Sequence, residues 1–137
     1  MLSAVKMGEN FLSESIDWEF PIPIAYGPGR ISEISQFCRK FKISNPLIVT
    51  DNGSKELPFV YRLIALLESA SIKSQLFYGI SPNPRDDEIN AGCIAYRKGN
   101  HDGIIAIGGG SALDGAKALG MTVNSGVSLW DFEYRKP

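Results

Sequence analysis

The stretch that decides the fold is "DGIIAIGGGSALDGAK", residues 102–117. The apolar run 103–107 leads into Gly108, Gly109 and Gly110, then a serine and a helical pattern. A chain that gives up side chains at successive positions, just where a buried strand ends, either makes a tight turn or lets something charged lie against its backbone. Glycines there allow close approach of a ligand, because no Cβ stands in the way. They open a helix at Ser111, so unpaired N–H groups and the positive end of the helix dipole face one point, which suits phosphate or diphosphate. The plainer reading is that Ser111 caps the helix and Asp114 completes a capping-box-like pair. Three glycines exceed what a cap requires, which favours the anion site. The spacing is not the GxGxxG of the common dinucleotide fingerprint.

Working outward, strand and helix patterns alternate. Residues 18–26, "WEFPIPIAY", read as an edge strand, because Pro21 and Pro23 cannot donate ladder hydrogen bonds. Ile31, Ile34, Cys38 and Phe41 mark an amphipathic helix over 30–42, and "PLIVT" (46–50) is a short run of the kind buried in parallel sheets. Val60, Leu63, Ile64 and Leu67 stand at i, i+3, i+4 and i+7, the clearest helix in the chain. A strand at 74–79, the loop "SPNP" (81–84) and a helix marked by Ile89, Cys93 and Tyr96 follow. The opening stretch supplies the last strand and a helix from about Ala112 to Gly120. This order predicts an α/β fold, a doubly wound, mostly parallel sheet with an N-terminal edge strand.

At 137 residues with 44% apolar and 21% charged content, the chain is sized for one soluble domain. The expected division is a loosely ordered extension over 1–16 and an α/β domain over 17–137. A net charge of −1 offers no electrostatic footprint for nucleic acid, and no segment approaches a membrane span. Cys38 and Cys93 match no metal or redox spacing and read as reduced core residues of a cytoplasmic protein. Near the end, Leu129, Trp130 and Phe132 crowd together, which predicts an unfinished domain whose copies self-associate as a homo-oligomer.

In an open parallel sheet ligands bind beyond the carboxyl ends of the strands. Asp51 stands at one such end, where its carboxylate either accepts bonds from both hydroxyls of an adenosine ribose or simply makes the "DNG" turn. As a ribose partner its charge would repel a 2′-phosphate and favour NAD over NADP. Asn83 either caps the third helix, with Pro84 at the first helical position, or bonds a cofactor; spacing alone favours the cap. Lys117, one turn into the last helix, either reaches a phosphate or is solvated. The sole histidine, His101, reads as a loop residue, and "DDE" (86–88) suits a helix N-terminus.

Together these segments resemble the N-terminal domain of the iron-containing alcohol dehydrogenase family. The resemblance rests on "PIPIAYGPGRI" (21–31), "LIVTDNG" (47–53), "SPNP" (81–84), "HDGIIAIGGGSALDGAK" (101–117) and "LWDFE" (129–133). It implies a Rossmann-like nucleotide-binding domain and hydride transfer between a primary or secondary alcohol and a nicotinamide dinucleotide. It implies that Asp51 contacts the ribose, that Gly108, Gly109, Gly110 and Ser111 cradle the diphosphate, and that Asn83 and Asp114 line the nicotinamide side, with Lys117 near a phosphate. Arg85 departs from the family, whose loop usually has threonine there. The family's C-terminal helical domain, whose aspartate and histidines hold Fe²⁺ or Zn²⁺, has no counterpart in these residues, and "YRKP" (134–137) departs from the pattern. The chain alone is therefore expected to be inactive. A non-enzymatic remnant and a glycerol-dehydrogenase-like member are the alternatives.

Overall fold

The computed structural model describes residues 15–133 apart from residue 20. Most of the extension read over 1–16, residues 1–14, lies outside the described residues, as does the closing segment 134–137. Ile16, assigned to that extension, instead opens the first strand.

Two short strands, β1 (Ile16–Glu19) and β2 (Pro23–Tyr26), pair antiparallel from Ile16↔Tyr26 to Glu19↔Pro23. They form a sheet of their own, which corrects the single edge strand read over 18–26. Pro21 falls between the strands, where a residue without an N–H costs no ladder bond. The Arg30 guanidinium fastens this hairpin, donating to Asp17 Oδ1 at 2.6 Å and to Glu33 Oε2 at 2.6 Å.

A parallel sheet follows. Its strands β3 (Pro46–Asp51), β4 (Gln75–Ile80) and β5 (Gly103–Ala106) stand in the order β4–β3–β5. The helices are α1 (Ile34–Lys40), α2 (Pro58–Ser69), α3 (Asp86–Lys98) and α4 (Gly110–Thr122). The central strand is buried from residue 46 to residue 50, the burial expected of a strand covered on both faces. Its side chains alternate: Leu47 and Val49 pack with Ile80, Ile89, Cys93 and Leu119, whereas Ile48 packs with Cys38, Leu63 and Leu67. Thus α1 and α2 cover one face, α3 and α4 the other, as a doubly wound fold requires. Both cysteines are free and buried, and burial pushes their thiols up. Among the described residues, no helix is long and apolar enough to cross a membrane.

The strands' N-terminal ends are tied together. His101 is the loop residue read from sequence, but it is buried, with Nδ1 3.0 Å from the Asn45 carbonyl and Nε2 3.2 Å from Gln75 Oε1. Beside it Asp102 accepts bonds from the Ser44 N–H and hydroxyl and from the Asn45 N–H. Burial works to raise the Asp102 pKa, yet those donors hold it below its ordinary value.

After β3 the chain places β4 on one side and then crosses back to set β5 on the other. The carboxyl ends of β3 and β5 therefore flank a topological switch point, where open α/β sheets form their crevice.

Candidate functional site

The glycines after β5 occupy this switch point, and they serve two different purposes. Gly108 has φ +138°, a conformation that L side chains rarely adopt. A Cβ there would sit 3.0 Å from Ala112 Cβ, 3.1 Å from Asp51 Oδ2 and 3.3 Å from Thr50 Oγ1. Gly108 is needed by the turn itself. Gly109 and Gly110 are not: a Cβ at either would meet nothing within 4 Å. Gly109, at φ −83° and ψ −168°, has an extended backbone open to any residue. Bare main chain facing free space suits a partner that comes from outside.

The first backbone bond of α4 runs from the Leu113 N–H to the Gly109 carbonyl, at 3.2 Å. The amides of Gly110, Ser111 and Ala112 precede it and have no intrahelical acceptor. The first turn of α4 carries no acidic residue, whereas that of α3 carries Asp86, Asp87 and Glu88. The positive end of the α4 dipole is thus left uncompensated within its own helix.

Two capping readings are corrected. Helix α4 begins at Gly110 rather than near Ala112, with Gly109 as its cap. Ser111 donates its hydroxyl to the Pro82 carbonyl at 2.7 Å, so it ties the 81–84 loop to α4 instead of capping it. Asp114, exposed, faces Lys117 Nζ at 3.9 Å rather than closing a capping box. Lys117 lies two turns into α4, about 10 Å along the axis from Gly110. The cap of α3 is Arg85, not Asn83, and Glu88 Oε2 accepts the Arg85 N–H at 3.0 Å. The same carboxylate oxygen accepts the Ser81 N–H and hydroxyl, and the Arg85 N–H foremost holds the Glu88 pKa below its usual range. Asn83 stands exposed in the loop, its carbonyl accepting the Ser81 hydroxyl at 3.0 Å. The Arg85 side chain turns away to Asp87.

Asp51 Oδ1 accepts the Ser54 N–H and Oδ2 the Ser54 hydroxyl, each at 2.9 Å, so its carboxylate does make the turn. Each oxygen retains a second lone pair, and Oδ2 lies against Gly108. The structure thus brings Asp51 and the glycine run together. It does not bring Lys117 to the helix end.

Two features escaped the sequence reading. Trp130 Nε1 donates to Asp86 Oδ2 at 3.0 Å, laying the segment after α4 over the start of α3 and lowering the Asp86 pKa. Thr50, fully buried, has a hydroxyl with no hydrogen-bond partner among the described residues. An orphaned buried hydroxyl costs about 1–3 kcal/mol.

Free amides, open space above two glycines and a carboxylate at the wall fit the diphosphate and ribose of a dinucleotide. A metal ion is not fitted: among the described residues no group of three or more His, Cys, Asp or Glu is placed to hold one.

The chain as a whole is similar to known proteins. A family model described as iron-containing alcohol dehydrogenase matches residues 21–137. Alcohol dehydrogenase 4 of Schizosaccharomyces pombe is 35% identical over 108 residues, covering 79% of this chain and 26% of that protein. The crystal structure of a 1,3-propanediol oxidoreductase superposes with a TM-score of 0.74 at 30% identity, over 77% of this chain and 28% of that one. Sulfoacetaldehyde reductase from Bifidobacterium kashiwanohense, solved in complex with NAD⁺, superposes with a TM-score of 0.69 at 29% identity, over 81% and 29%. The chain spans 26–30% of the length of such curated relatives.

Proposed function

The chain belongs to the iron-containing alcohol dehydrogenase family, and on that premise we propose that its α/β domain, residues 17–137, is the nicotinamide dinucleotide-binding part of a metal-dependent alcohol dehydrogenase. The observation that carries this reading is the open space above Gly109 and Gly110 at the start of α4. The amides of residues 109–112 hold the diphosphate, and no side chain has to move to admit it. Asp51, held in place by Ser54, is in this reading the partner of the adenosine ribose. Its charge excludes a 2′-phosphate, which favours NAD over NADP. Asn83 and Asp114 line the nicotinamide side, and Lys117 acts at most as a distant cation.

A bound nicotinamide would supply hydride-transfer chemistry toward an alcohol or carbonyl carbon. The residues of this chain bind and orient it. They supply one histidine and no metal-ligand cluster among the described residues, so no Fe²⁺ or Zn²⁺ chemistry is assigned to them.

Titration of the 137-residue chain with NADH should give a saturable fluorescence change, with NADPH weaker. Alcohol plus NAD⁺ should give no NADH, with or without added Fe²⁺ or Zn²⁺. A folded chain whose melting temperature is unmoved by saturating NADH and NADPH would be a remnant rather than a binding domain. Turnover would overturn the inactivity instead.

A further inference from the structure

Thr50 is the polar member of the buried run 46–50, in a place where valine would fill the same shape without a hydroxyl. The ladder is irregular here: Val49 pairs with Phe77 but Asp51 pairs with Ile80, so one residue of β3 faces two of β4. The extra residue lies on β4, so the irregularity falls opposite Thr50 at the carboxyl end of the sheet, and such bulges recur beside functional sites. Thr50 Oγ1 ends 3.3 Å from the Cβ position of Gly108, the residue that turns the chain into the glycine run. The hydroxyl is therefore fully buried, unpartnered among the described residues, and set directly against the turn that leads to the free amides.

We infer that Thr50 is a positioning residue of the nucleotide loop: once a diphosphate is seated on the α4 amides, the Gly108 turn settles so that its main chain partners the Thr50 hydroxyl. This rests on the nucleotide reading above. A ligand shifts an equilibrium only by what differs between the two states, and here the difference is one hydrogen bond, absent in the free chain and present in the bound one. Removing the hydroxyl leaves the free state no worse and the bound state weaker. A packing role would instead move stability and leave affinity alone.

The test compares the parent with Thr50→Val and Thr50→Ser, measuring the ligand-free melting temperature and the Kd for NADH and for ADP-ribose. Thr50→Val should melt at or above the parent and bind both ligands about tenfold more weakly, the loss of one neutral hydrogen bond. Thr50→Ser should restore affinity to within about twofold. Parental affinity in Thr50→Val would overturn the inference. So would a Thr50→Val chain that fails to fold, because the hydroxyl would then already be partnered in the free protein. A parent that binds neither ligand would bring down the nucleotide reading itself, and this inference with it.

Discussion

A Gly109→Val chain should still fold, losing no more than about 1 kcal/mol from the poorer helix cap, and should lose at least about 100-fold in NADH affinity, some 2.7 kcal/mol. The backbone there is extended and a Cβ meets no atom within 4 Å, so a β-carbon is accommodated without strain. The isopropyl group would instead fill the space through which a diphosphate reaches the amides of α4. Those amides are not replaced by any side-chain donor: Ser111 is committed to Pro82 and Lys117 is two turns away. Equilibrium NADH titration beside urea unfolding checks both halves. Unchanged affinity in a folded variant would remove the role assigned to the glycine run.

Its neighbour should behave in the opposite way. Gly108→Ala is expected to cost about 1–3 kcal/mol of folding stability from backbone strain alone, because φ +138° belongs essentially to glycine. The added methyl would also press on Ala112 Cβ at 3.0 Å, a contact with little room to give. A lowered urea midpoint with an unchanged slope is the expected result, and a midpoint equal to the parent's would contradict it. Adjacent glycines thus answer to different demands: Gly108 keeps the turn, Gly109 keeps the approach clear.

Much of this architecture is legible in the sequence. The α2 face at Val60, Leu63 and Leu67 carries a helical period, and the run ending at Thr50 has the length and β-branched composition of a buried strand. Boundaries were harder wherever two residues competed for one role. Ser111 and Asn83 have the composition of caps, but α4 is capped by glycine backbone and α3 by Arg85 with Glu88 three residues on. The Arg85–Glu88 spacing was the available signal, masked because arginine is not a typical cap. Two prolines within five residues were enough to mark 18–26 as a strand at an edge, yet could not say that it folds back on itself. The switch point depends on strand order, which no local pattern encodes. The orphaned hydroxyl of Thr50 depends on what surrounds it in space.

The most direct measurement is an NADH titration of the isotope-labelled 137-residue chain followed through its backbone amide resonances. The largest shifts should fall on Gly109, Gly110, Ser111 and Ala112, with Asp51 and Ser54 next. A folded chain in which those amides stay still at saturating NADH, or in which the shifts gather elsewhere, would contradict a diphosphate held by the bare end of α4.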